Sequence, residues 1–298
     1  VAPMMTRKEK RTLLTGLAFI SPWIIGFLIF TLYPVGASIY YSFCDYDVLS
    51  APVWVGMLNY KDMMTDSVFW KSLYNTAFFV VFSLPMTLIG GMMIAILLNQ
   101  SVKCRSLFRT FFFLPALVPF VASSMIWIWI LNGKYGLLNH ALNMIGIIGP
   151  DWLSDEHWTK PAIILMMTWG LGGQMVIYLA ALQDVPRELY ESADIDGASP
   201  WTKMRHITIP MISPVIYFNL VMGIIGLLQI FAQPYIMFGG GGVNRSALFY
   251  TVYLYQNAFE YFNMGYACAM AWILFIIILV LTWIATRTTR KHIYYAGE

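Results

Sequence analysis

The charge-free run at residues 12–43 limits this chain more than any other feature. A helix needs roughly 20 apolar residues to cross the hydrocarbon core of a bilayer, and this run is longer. Inside lipid the backbone must satisfy its own N–H and C=O groups, so the run predicts a helix. Pro22 and Pro34 should bend it or mark its ends. Arg7, Lys8, Lys10 and Arg11 precede it, as in the charged start of a signal peptide. The apolar run, however, far exceeds a signal core of roughly 7–15 residues, and no small-residue cleavage site is evident. A first transmembrane helix is the expectation.

Five further runs follow. Residues 72–98 contain Pro85 and Gly90-Gly91, and residues 110–131 contain Pro115 and Pro119. Residues 161–183 carry Gly170, Gly172, Gly173 and Gln174 at their middle, and residues 207–238 end in a run of four glycines at 239–242. Residues 261–286 are closed by Arg287, Arg290 and Lys291. Residues 135–149 are apolar but too short to span, so an interfacial helix is expected there. The composition agrees: 59% of residues are hydrophobic and 11% charged, where soluble domains run near 25% charged. The fold class is therefore all-α integral membrane protein with six transmembrane helices. One transmembrane domain should cover residues 1–298, with no soluble domain and no clear repeat.

Charge fixes the expected orientation. With the amino terminus inside, the inner segments hold Arg7, Lys8, Lys10, Arg11, Lys103, Arg105, Arg109, Arg187, Lys203, Arg205, Arg287, Arg290 and Lys291. The outer segments hold only Lys61, Lys71, Lys134, Lys160 and Arg245. Thirteen of the 18 basic residues thus lie on one side, which the positive-inside rule assigns to the cytoplasm. Both termini and the segment between spans four and five should be cytoplasmic.

That segment, residues 184–209, is polar and dense in structural signals. Pro186 suits the first position of a helix and Glu188 its first turn. Gly197 can take the left-handed conformation that closes it. Ser199 and Pro200 then read as N-cap and first position of a second helix, which carries Lys203, Arg205 and His206 before Pro210. The prediction is a helix-turn-helix at the membrane surface.

Glu191, Ala193, Gly197, Ile207 and Pro210 have the spacing of the EAA loop, and the chain resembles the membrane permease subunits of ABC importers, closest to the carbohydrate uptake subfamily. Ser192 stands where that pattern has its first Ala, and Ile209 where it has Leu. Gly56-Met57-Leu58-Asn59-Tyr60 resembles the Gly-Leu-x-Asn-Tyr found at the same place in such permeases. The resemblance implies a bacterial inner-membrane, multi-pass permease of a binding-protein-dependent system. It implies a cytoplasmic loop, including Asp196 and Ala198, that docks on a separate ATPase. The implied partners are a second homologous permease in a heterodimer, two ATPase subunits, an extracytoplasmic solute-binding protein and membrane lipid. The implied cargo is a sugar, an oligosaccharide or a glycerol phosphate. No nucleic-acid partner is expected.

The chain should not be an enzyme by itself. A phosphate-binding loop needs Gly, four residues, then Gly-Lys-Ser/Thr. Gly133-Lys134 is followed by Tyr135 and lacks the upstream Gly, so ATP and magnesium are expected on the partner ATPase. The apolar cores carry no ionisable side chain that a proton-coupled carrier would use, which disfavours an ion-coupled secondary carrier. A channel subunit is the other alternative. Cys44, Cys104 and Cys268, and the four histidines, have no metal-ligand or disulfide spacing.

Polar residues within apolar spans are costly without partners and are the natural substrate contacts. They are Gln174, Asn219, Gln229 and Gln233; the same groups could instead bind helix to helix. Trp127, Trp169 and Tyr235 could stack on sugar rings, though rings also gather at membrane interfaces. Gly170, Gly173, Gly223 and Gly226 would leave room for a ligand.

Overall fold

The computed structural model describes residues 6–100 and 103–289. Arg290, Lys291 and His292 lie outside the described residues. In chain order the elements are α1 (Arg7–Ser42), β1 (Cys44–Asp45), β2 (Val53–Trp54), α2 (Leu58–Thr65), α3 (Ser67–Asn99), α4 (Arg105–Leu117) and α5 (Phe120–Ile130). Then come α6 (Leu137–Met144), α7 (Thr159–Trp169), α8 (Gly172–Gln183) and α9 (Arg187–Ile195). Pro200–Lys203 continues through a π-type turn, Met204–Thr208, into Ile209–Met211; together these are α10. The last are α11 (Ser213–Leu228), α12 (Ala232–Phe238), α13 (Tyr250–Tyr255) and α14 (Met264–Thr289). Among the described residues four continuous stretches could cross a membrane: α1, α3, α11 with α12, and α14. The pairs α4–α5 and α7–α8 are bent by 99° and 44°, and each counts as one crossing in a six-span reading.

Both bends fall at residues that interrupt a helix inside the expected third and fourth spans. Val118 and Pro119 are extended, and a proline lacks the donor that would carry the helix across. At the other break, α7 ends on Gly170 and α8 begins at Gly172. The fifth span also differs. Helix runs unbroken through residue 211, but a fresh start at Ser213-Pro214 separates it from α11.

Contacts divide the chain into two compact units. One comprises Val1–Thr65 and Asn257–Trp272. Here α1 opens with a capping box in which Thr6 and Glu9 exchange side-chain and backbone bonds. It is 36 residues, about 54 Å long at 1.5 Å per residue, and overshoots a hydrocarbon core of about 30 Å. A π-type turn at Leu28–Leu32 lies directly before Pro34, where the missing donor breaks the regular ladder. β1 and β2 pair antiparallel, with Cys44 opposite Trp54. The Gly56–Tyr60 motif closes this corner. Gly56 is left-handed (φ +64), the Asn59 amide donates to the Ser42 and Cys44 carbonyls at 2.9 Å, and the Tyr60 hydroxyl donates to the Ser42 hydroxyl.

The other unit comprises Asp66–Gln256 and Ile273–Glu298. Its centre is α3, which packs on α8, α11 and α7. The buried face of α3 mixes the apolar Phe69, Phe79, Val80 and Leu98 with a set of small or polar residues, Ser72, Thr76, Ser83, Thr87, Gly91 and Ala95. Small residues let helix backbones approach where lipid offers no hydrophobic drive. A Cβ on Gly91 would stand 2.8 Å from the Gln174 Cβ, and one on Gly172 would overlap the Phe112 carbonyl. At one end of α3, Asn75 donates to the Arg245 and Leu248 carbonyls at 2.9 Å, and Thr76 accepts the Tyr250 N–H at 2.8 Å. These bonds satisfy the backbone of the turn after the glycine run, where Gly239, Gly240, Gly242, Asn244 and Arg245 all have positive φ. At the other end Arg105 closes the helix, its Nε donating to the Leu98 carbonyl at 2.5 Å.

Candidate functional site

Two features of the second unit carry the candidate residues. The first is the loop between the fourth and fifth crossings. Pro186 is its N-cap rather than its first helical residue, and α9 begins at Arg187 with Glu188 in the first turn. The helix ends in two closing bonds. Gly197 N–H donates to the Asp194 carbonyl at 3.1 Å, and Ala198 N–H to the Ala193 carbonyl at 2.9 Å. This is a Schellman closure, and Gly197 supplies its left-handed residue at φ +71. Ser199 then caps α10, its hydroxyl accepting the Thr202 N–H at 3.2 Å. The Lys203 ammonium bonds the Asp194 carboxylate, and the Tyr190 hydroxyl lies 2.9 Å from that of Thr208. The two helices therefore form one cross-braced knob.

The knob is rooted in the spans. Ala95 and Leu98 of α3, Met175, Tyr178, Leu179 and Leu182 of α8, together with Val185 and Ile212, form one buried cluster. Tyr190, Ile207 and Met211 pack against that cluster. Ile207 therefore faces the protein's own core, and Pro210 is half-buried. Glu191, Asp196 and Gly197 are exposed, while Ala193 and Ala198 are half-buried. Two residues that the sequence reading passed over are the most exposed apolar groups of the knob: Ile195 at 88% and Trp201 at 72%. Their signal was present: apolar side chains in a charged surface segment.

The second feature is a cavity of about 520 Å³. It is lined by Gln174 of α8, Asn219 and Gly223 of α11, and Gln229 and Gln233 at the break between α11 and α12. Thr87, Phe120, Met167, Gly226 and Phe231 also face it. The break itself makes the site. α11 stops at Leu228, Phe231 is non-helical (φ −130, ψ −59), and Thr251 donates to the freed Ile230 carbonyl. Irregular backbone at membrane depth is tolerated where it lines a cavity. The four polar residues singled out in the sequence thus line one volume. Asn219 spends one amide donor on the Val215 carbonyl at 3.0 Å.

The aromatic expectations fare differently. Trp169 meets Trp127 edge-on at 6.2 Å and does not line the cavity. Tyr235 stacks on Phe231 at 5.3 Å and stands one ring behind the wall. Phe231 and Phe120 are the lining rings, and their position follows from chain breaks that hydropathy does not reveal. A Cβ on Gly173 would meet nothing within 4 Å, and Gly173 is not in the cavity wall.

Residues 87–292 match the family described as binding-protein-dependent transport system inner membrane component. The chain belongs to that family. Its relatives include a probable ABC transporter permease protein, YesP of Bacillus subtilis, 39% identical over 98% of this chain and 96% of that protein. Another is the lactose transport system permease protein LacF of Rhizobium radiobacter, 34% identical over 93% of this chain and 94% of its own length. Among solved structures, a bacterial ABC transporter involved in the import of the acidic polysaccharide alginate superposes with a TM-score of 0.82 at 25% identity, covering 95% of this chain and 96% of that one. Family membership makes this chain a membrane-spanning ABC permease subunit, and the surface knob and the lined cavity are its two candidate working parts.

Proposed function

We propose that this permease forms, with a second homologous permease, the path for a sugar or oligosaccharide, and that residues 184–209 are the loop through which a separate ATPase drives it. The observation carrying the reading is the braced knob rooted in the cluster of α3 and α8. A push on α9 reaches the spans through the packing of Tyr190 and Ile207 on that cluster. Ile195 and Trp201 are the apolar anchors for a groove on the ATPase, and Glu191 meets a basic or polar group at its rim. Two ATPase subunits hold ATP and magnesium and do the chemistry, so this chain is not an enzyme by itself. The positive-inside count supports cytoplasmic termini and a cytoplasmic knob.

Relatives named for lactose and arabinooligosaccharide transport support a carbohydrate cargo. The cavity supports it too. Three glutamines and an asparagine offer paired donors and acceptors for hydroxyl groups, and Phe120 and Phe231 offer faces for pyranose C–H groups. A solute-binding protein delivers the cargo from outside, as in the alginate transporter captured in complex with its pentasaccharide-bound periplasmic protein.

The test is assembly. The tagged chain, purified in mild detergent, should bring down a second permease and ATPase in a 1:1:2 ratio, roughly as two-fold pseudo-symmetry requires. A cysteine at Ile195 should cross-link to the ATPase. Purification without any ATPase would favour a channel subunit instead.

A further inference from the structure

Residues 131–158 join α5 to α7 and close into a loop with an apolar tip. Its waist is one asparagine. Asn139 is 6% exposed; its amide donates to the Gly133 and Pro150 carbonyls at 3.0 Å, and its Oδ1 accepts the Trp152 indole N–H at 2.7 Å. A Cβ at Gly149 would overlap that amide, so glycine keeps the clasp shut. Beyond the waist, α6 ends on left-handed Gly146 (φ +79). The N–H groups of Ile145 and Ile147 bond the Leu142 carbonyl, and that of Gly146 bonds the Asn143 carbonyl, at 3.0–3.1 Å. The turn thus bonds three of its own N–H groups and presents its apolar side chains outward. Met144, Ile145, Ile147 and Ile148 are all exposed, Ile148 at 93%.

No Asp, Glu, Lys or Arg occurs in residues 135–150. Charge returns at Lys134 and Asp151, next to Tyr135 and Trp152, which are side chains suited to a lipid headgroup boundary. The loop precedes α7, whereas the knob follows α8, so the two lie at opposite ends of one crossing. Membrane-crossing helices tether both ends of the loop, which holds the tip near the bilayer surface. A docking face for a protein would carry a polar rim and about one hydrogen bond per 100–200 Å². Residues 144–148 offer a protein no charged or strongly hydrogen-bonding side chain, whereas the headgroup–acyl boundary takes up apolar side chains and leaves open backbone groups hydrated.

We propose that the side chains of residues 144–148 insert at the headgroup–acyl boundary of the leaflet opposite the coupling loop, with lipid as the occupant of the apolar tip. The insertion fixes the α5–α7 connection to the membrane while the spans move. It rests on the membrane placement that family membership gives, and not on the coupling mechanism.

The experiment uses the full transporter in nanodiscs with Cys104→Ser as background, since Cys44 and Cys268 are buried. A nitroxide is placed at Ile148→Cys, at Met144→Cys, and at Lys134→Cys as an aqueous reference. Collision with oxygen should be several-fold higher, and with a water-soluble nickel chelate several-fold lower, at both tip sites than at 134. Adding the solute-binding protein should leave both values unchanged. Nickel access at the tip equal to that at 134 overturns the proposal. Exclusion of nickel that develops only when the binding protein is added also overturns it and makes the tip a protein dock. Two tip sites guard against one label disturbing the turn.

Discussion

The Tyr190 hydroxyl lies 2.9 Å from the Thr208 hydroxyl, joining the first helix of the knob to the segment that leads into the fifth span. Thr208 is buried and also donates to the Lys203 carbonyl inside the π-type turn before Pro210. One bond therefore bridges the two arms at their root. Tyr190→Phe removes it while keeping the ring on the buried cluster. Its cost should be about 1 kcal/mol, the usual net worth of one such bond. Thermal unfolding of the purified complex should show a small loss, and uptake per ATP hydrolysed should fall because the arms can slide.

The Asp194–Lys203 pair should matter less. Asp194 is well exposed, and exposed pairs are screened and contribute about 0–1 kcal/mol. Asp194→Asn should leave uptake within a factor of about two of the parent, on the same scale of interaction. A severe loss of uptake would mean that the carboxylate touches the partner.

Adjacent glycines give opposite forecasts. A Cβ on Gly172 would overlap the Phe112 carbonyl, while one on Gly173 would meet nothing within 4 Å. Gly172→Ala should separate the third and fourth crossings and reduce the yield of folded complex. Gly173→Ala should express and transport normally. Fluorescence size-exclusion profiles of the two variants decide the matter in one gel-filtration run each.

In the cavity, Gln174→Ala removes an amide from the wall without touching the knob. Loss of one hydrogen bond to cargo, about 1 kcal/mol, should raise the KM for uptake roughly fivefold. Maximal ATP hydrolysis should be preserved. Trp169→Phe should leave KM alone, because Trp169 lies against Trp127 outside the cavity wall.

The sequence was most readable where local chemistry dictates backbone. Ser199 and Gly197 could be assigned because capping and left-handed closure depend on neighbours in the chain, and both stand in those roles. The expected interfacial segment at 135–149 contains α6, since its apolar length excluded a span. The bends were less readable. Pro85 lies inside an unbroken helix, whereas Pro119 stands at a 99° turn, and only packing tells the two apart. Gln229 and Gln233 were legible as polar intruders, but the ring lining the cavity was not. Phe231 reaches the cavity because the helix breaks beside it, and Tyr235 does not. Ile207 was legible as a position of the motif, but its packing against the buried cluster depends on the fold.

The most direct measurement is of uptake and ATP hydrolysis together, in proteoliposomes of the full transporter carrying Gly197→Val. A Cβ there would meet nothing within 4 Å of this chain, so the damage comes from forcing a β-branched residue to φ +71. With assembly checked by gel filtration, the account predicts that uptake per ATP collapses while the spans stay folded. Parental uptake per ATP in that variant would show that the knob does not carry the motion.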